Sequence, residues 1–299
     1  MPSQWWIDRL CATGSGSAAC MSTTLAEPLA HFKARLTEHQ ESPTSMNTQD
    51  IVLLGASNLV LGWQAVITAI RQVTTAPINL NVALGMGRSY IKTSAFWFRR
   101  LPAISRCGLW DQLPRDSANP PLVLITDLGN DIVYQFEPDQ IAATVRHCIR
   151  QILDWRSDAK IVITGLPLAS LTGVGKLRFQ IAKTILFPGC PLSRTSILEH
   201  SLSLDLLVRQ MAAEFGIPLI EPEPRWYGFD PIHVLPKFRA AAFQKYFVAF
   251  ELAVLSINSR TSSNVRLDLP TAAARTVFGR NRIVEQPVFR SREIVVSAW

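Results

Sequence analysis

Ile51-Val52-Leu53-Leu54-Gly55-Ala56-Ser57-Asn58 is the stretch from which the fold can be read. Four consecutive apolar residues with no polar alternation are what a strand covered on both faces requires. Glycine ends the run, and a helical stretch follows from about Asn58 to Val73. The same unit recurs along the chain. Ile78 to Leu84 reads as a second strand, Leu122 to Thr126 as a third and Lys160 to Thr164 as a fourth. Ile217 to Ile220 reads as a short fifth, placed near a sheet edge by Pro218, which has no N–H to give a neighbour. Helices are expected over Pro138 to Trp155, Ser193 to Phe215 and Phe238 to Leu255. The clearest begins with proline in its first turn and lines up Ile141, Val145, Cys148, Ile149 and Ile152 on one face. Tyr90 to Trp110 reads as helical in parts, broken at Pro102 and Gly108.

Strands alternating with helices predict an α/β protein: three layers, α/β/α, around a flavodoxin-like five-stranded parallel sheet in the order 2-1-3-4-5. Residues 49–258 form this unit. Residues 1–48 read as a leader, with a Gly/Ser/Ala stretch from Thr13 to Ala19 and a helix over Ala26 to Glu38. Asp8 and Arg9 interrupt any early apolar run, so a secretory signal is poorly formed. Residues 259–299 read as a polar C-terminal extension without a core of its own, with short apolar pieces such as Ile294-Val295-Val296.

Composition narrows the classes. Of 299 residues, 48% are hydrophobic and 18% charged, which supports a filled core and argues against global disorder. The net charge is +7, but the basic residues are spread along the sequence, and no nucleic-acid partner is expected. The cysteines (Cys11, Cys20, Cys107, Cys148 and Cys190) are odd in number and show no metal-ligand spacing. They predict neither a disulfide framework nor a metal site, and reduced thiols suit a cytoplasmic protein. Ala240 to Ile257 is the most apolar long stretch, but Gln244, Lys245 and Glu251 break it, so no transmembrane segment is expected.

Three fragments fall after apolar runs, where sheets of this kind build sites. They are Gly55-Ala56-Ser57-Asn58, Gly129-Asn130-Asp131 and Asp230-Pro231-Ile232-His233. A hydroxyl nucleophile needs a base, a group to orient that base, and donors for the oxyanion that forms. Ser57 supplies the nucleophile, His233 the base, Asp230 the orienting carboxylate and Asn130 a side-chain donor. Ser57 N–H, at the start of a helix, is a further donor.

Taken in this order, the blocks resemble the SGNH/GDSL hydrolase superfamily over roughly residues 50–256. The resemblance implies hydrolysis of a carboxylic ester, thioester or acetyl ester through an acyl-serine intermediate, without a cofactor, on a small-molecule, carbohydrate or lipid ester. It also implies an oxyanion donor from a glycine after the second strand, for which Gly85 and Gly87 are both candidates. Two positions depart from the family: Ala56 precedes the serine, where aspartate is common, and Leu128 stands where the first glycine of the Asn130 block usually is. They motivate a second reading, a binding or scaffolding domain that kept the fold and lost catalysis. Gly173-Val174-Gly175-Lys176 fails as a phosphate loop, since Ser170 and Leu177 stand at its defining positions. The segment between Gly165 and Ser193, and Trp226 with Tyr227, are candidates to shape a substrate pocket.

Overall fold

The structure, a computed structural model, describes residues 47–173, 175–186, 189–250 and 266–299. Outside them lie the helix expected over 26–38, Cys11, Cys20, the end of the last helix at 251–255 and residues 259–265 of the extension.

The strands are β1 (Gln49–Leu54), β2 (Ile78–Ala83), β3 (Ser94–Phe96), β4 (Arg99–Leu101), β5 (Leu122–Ile125), β6 (Lys160–Thr164), β7 (Leu219–Ile220), β8 (Ala274–Val277), β9 (Arg280–Ile283), β10 (Phe289–Arg290) and β11 (Ile294–Ala298). The helices are α1 (Ser57–Leu61), α2 (Trp63–Val73), α3 (Leu109–Gln112), α4 (Asn130–Val133), α5 (Pro138–Trp155), α6 (Leu168–Thr172), α7 (Lys176–Leu186), α8 (Arg194–Phe215) and α9 (Arg239–Val248).

The five anticipated strands are present as β2-β1-β5-β6-β7, all parallel, with β7 at the edge. The sheet is nevertheless seven-stranded. β11 adds in parallel beside β2, running from Ile294 opposite Ile78 to Ala298 opposite Val82, and β10 closes the edge antiparallel. The reason is the apolar edge that β2 would otherwise expose: Ile78, Leu80 and Val82 are all buried, and Ile294, Val296 and Ala298 cover them.

β1 explains why the decisive stretch does not alternate. Val52 and Leu54 face one core layer, with Ile141, Val145, Ile149 and Ile152 of α5 and Leu204 and Val208 of α8. Ile51 and Leu53 face the other, with Val66, Ile67 and Ile70 of α2 and Phe243 and Phe247 of α9. Each such side chain, fully buried, contributes roughly 1.5–3 kcal/mol of transfer free energy before conformational entropy is set against it. α8 starts on Ser193, whose hydroxyl accepts the Ser196 N–H at 3.0 Å, and ends on Gly216 at φ 63°.

Tyr90 to Trp110 is helical in parts as expected, with a 3-10 turn at Ile104–Arg106 and α3 starting after Gly108, but its middle departs from expectation. Residues 94–101 form the hairpin β3–β4, which joins β8 and β9 in a separate antiparallel sheet, β3-β4-β8-β9. Partners more than 170 residues away complete it, so no local periodicity announces it. The expected first helix is also two helices, α1 and α2, divided at Gly62.

Candidate active site

The three fragments converge at the carboxyl ends of β1, β5 and β7. Ser57 begins α1 immediately beyond β1 and is 5% exposed. Its Oγ lies 2.8 Å from His233 Nε2, and His233 Nδ1 lies 2.5 Å from Asp230 Oδ2. A carboxylate only accepts, so the imidazole proton sits on Nδ1 facing Asp230. In the neutral ring Nε2 is then bare and able to accept the Ser57 hydroxyl proton. The other Asp230 oxygen accepts the backbone N–H groups of Ile232 (3.0 Å) and His233 (3.2 Å), which shapes the loop. Burial pushes the Asp230 carboxyl up. The hydrogen bond and charge interaction with His233, with those two N–H groups, outweigh it and leave the carboxyl below its ordinary value.

Asn130 opens α4, is 8% exposed and lines the same cleft as Ser57. Its Nδ2 donates one hydrogen to the Arg88 carbonyl at 3.3 Å, and the amide carries a second. Gly85 and Gly87 occupy the turn after β2, closed by Arg88 N–H to the Gly85 carbonyl at 3.1 Å. Neither is among the residues lining the Ser57 cleft. Gly87 has φ +61°, a conformation glycine adopts without strain, and its carbonyl accepts the Tyr134 hydroxyl at 2.6 Å. Asp131 points away from the cleft: its buried carboxylate accepts the Ser89 hydroxyl and the Tyr90 N–H (2.8 Å), tying that turn to α4.

Two residues at this site were not legible as site residues. Asp127, at φ 61°, accepts Ala56 N–H (2.7 Å) and Asn58 N–H (3.3 Å) on one oxygen and Asn58 Nδ2 (2.7 Å) on the other. The Ser57 N–H between them is taken by neither oxygen. Asn58 also donates to the Ile232 carbonyl (3.0 Å) and accepts the Val234 N–H (2.9 Å). It therefore fastens the serine turn to the histidine loop with both ends of its amide. The available signal was an acid at the carboxyl end of a buried strand, Thr126-Asp127, and an amide directly after the serine.

Beside Ser57 opens a cleft of about 90 Å³, walled by Leu128, Val133, Leu166, Pro167, Leu171 and Ile197. Of the expected pocket residues, Tyr227 lines it and Trp226 is core. From the 165–193 segment, α6 contributes Leu171, while Leu177 is exposed and Phe179 packs in the core. Among the described residues no cluster of His, Cys, Asp or Glu could hold a metal ion, and no helix is long and apolar enough to cross a membrane.

A serine–imidazole–carboxylate row thus lies at the carboxyl edge of the α/β/α sheet. No family model and no curated protein matches the chain. Among solved structures, it is similar to a member of the lipolytic G-D-S-L family from Veillonella parvula (TM-score 0.40, 10% identity, 67% of this chain and 96% of that one). It is also similar to an extracellular lipase from Streptomyces rimosus (TM-score 0.34, 13% identity, 67% and 99%). At that distance the likeness says nothing of activity.

Proposed function

We propose that the protein is a serine hydrolase of carboxylic esters, acting through an acyl-serine intermediate. The single observation carrying this reading is the unbroken row from Ser57 Oγ through the His233 ring to Asp230, with contacts of 2.8 and 2.5 Å. His233 Nε2 takes the Ser57 proton as Oγ bonds to the ester carbonyl carbon. The carbonyl electrons move onto oxygen, where the Ser57 N–H and the second Asn130 N–H are donors. Each such donor contributes about 2.7–4 kcal/mol in the transition state. The tetrahedral species collapses, His233 hands its proton to the departing alcohol, and water repeats the sequence to free the acid. Asp230 keeps the ring oriented and stabilises its cationic form without taking the proton. Gly85 and Gly87 remain the candidates for a further oxyanion donor from the turn after β2, although neither lines the cleft.

Ser57→Ala should abolish turnover of a short p-nitrophenyl ester while the circular dichroism spectrum stays unchanged. Retained turnover in that variant would eliminate the proposal and leave the binding-domain reading.

A further inference from the structure

The four-stranded sheet β3-β4-β8-β9 has no part in the site above, and its chemistry is one-sided. Residues 92–101 and 274–283 contain five arginines, Arg99, Arg100, Arg275, Arg280 and Arg282, and no acid. The whole chain has a net charge of +7, so folding gathers at one place a charge that looks dispersed along the sequence. Among the described residues none of the five arginines forms an ion pair, and Glu285, the nearest acid in sequence, pairs with none of them. Arg99 and Arg275 stand close enough to repel. Burial, and then the Arg275 charge, lower the Arg99 guanidinium from its ordinary value.

The same sheet carries the most exposed aromatic rings of the described residues. β4 pairs antiparallel with β8, Arg99 opposite Val277, which brings the two hairpin turns to one end. The Phe278 N–H bonds the Phe98 carbonyl across that end at 2.9 Å, and the two rings stack at 4.5 Å. Trp97 is 78% exposed and Phe278 75%. Both sit at positive φ, 57° and 49°, where a bulky side chain is strained. Phe96 and Phe98, each 37% exposed, complete the apolar tip. Arg99 and Arg280 follow directly behind it, at the first positions of β4 and β9.

We infer that this sheet docks the protein on an anionic lipid surface, with the Trp97–Phe278 tip entering the headgroup layer and the arginines behind it meeting lipid phosphates. Aromatic rings favour the membrane interface, and guanidinium groups beside anionic lipid gain from the surface potential. Nucleic acid would answer the same charge. But single strands stack on rings displayed along a binding face, whereas here the rings crowd the turns at one end. Leu101 Cδ1 and Arg99 lie against Gly85, at 2.4 and 3.5 Å from where a Cβ on it would stand, so the docking sheet is braced directly on the turn after β2.

The test uses the full chain and does not depend on ester hydrolysis. Flotation with phosphatidylcholine vesicles, with and without phosphatidylglycerol, should recover the protein only on the anionic ones, and added salt should release it. Trp97→Ala with Phe278→Ala, and separately Arg100→Glu with Arg280→Glu, should each weaken anionic-vesicle binding about tenfold or more. All of these side chains are exposed, and turnover of a soluble ester should be unchanged. Ser57→Ala should bind vesicles as the wild type does. Equal recovery on neutral vesicles, or no loss in either double variant, would overturn the inference. So would binding to a single-stranded oligonucleotide but not to vesicles, or a dimer in sedimentation that the Trp97/Phe278 variant abolishes.

Discussion

Replacing Asp127 by asparagine isolates what holds the serine turn in place. Asn tolerates the φ of 61° at this position, so the backbone is not the variable. The carboxylate accepts three bonds, from Ala56 N–H, Asn58 N–H and Asn58 Nδ2. An amide presents a single acceptor oxygen. Whichever way it turns, its NH₂ faces a donor and at least one contact becomes donor against donor. Hydrogen bonds to a charged group contribute about 1.5–3 kcal/mol each. Asp127 is half-buried, so water recovers part of that, and the expected loss of stability is about 2–3 kcal/mol. The released 55–58 turn no longer aims Ser57 Oγ at His233, and a displacement of about 1 Å costs on the order of 100-fold in turnover. Urea unfolding gives the first quantity and kcat/KM on a short p-nitrophenyl ester the second, with the loss expected in kcat more than in KM. Asp127→Gly, which keeps the backbone and removes the whole side chain, should be at least as damaging. Wild-type stability and kcat in Asp127→Asn would refute the clamp.

Other consequences follow from the same geometry. Asp230→Asn should lower kcat by roughly 10³–10⁴ with the fold intact, because an amide no longer requires the Nδ1–H tautomer; a small effect would remove Asp230 from the row. Asp230 has its carboxyl depressed on folding, so its ionised form stabilises the native state above the unfolded value and that contribution vanishes as pH falls through the folded one. The stability gap between wild type and Asp230→Asn, read from urea melts, should therefore be full near neutrality and close below about pH 4. Gly62→Ala would place a Cβ 2.1 Å from Phe243 Cε2 and 2.9 Å from the Asn58 carbonyl, so it should cost about 1–3 kcal/mol, measured as a lower melting temperature. At about 90 Å³ the cleft is small beside the roughly 300–1,000 Å³ of ordinary small-molecule sites. Acetyl and butyryl p-nitrophenyl esters should accordingly outpace the palmitoyl ester in kcat/KM, and faster palmitoyl turnover would show the cleft to be misassigned as the acyl site.

What the sequence disclosed, and what it hid, divides along sequence distance. β1 could be read because both of its faces are buried, so its composition alone marks it as central. α5 declares itself through a 3.6-residue stripe and Pro138 at its start, and α8 through Gly216 at its end. Of the candidate site, Ser57 could be picked out because it directly follows β1, and His233 with Asp230 because they stand three residues apart on one loop. β11 was not, since Ile294 to Ala298 takes its meaning from the open edge of β2, more than 200 residues earlier. The β3–β4 hairpin is hidden for the same reason: its partner strands lie beyond residue 270. Asp127 and Asn58 hold no reacting atom. Their importance lies in three hydrogen bonds to distant backbone and two between themselves, which no local spacing encodes.

Ser57, on this reading, is an alcohol activated by its neighbour His233. The direct measurement is reaction of the native protein with a fluorophosphonate probe, followed by peptide mass spectrometry. One adduct is expected, on Ser57, lost in Ser57→Ala and strongly slowed in His233→Ala. An unreactive Ser57 in folded protein, or an adduct on a different serine, would contradict it.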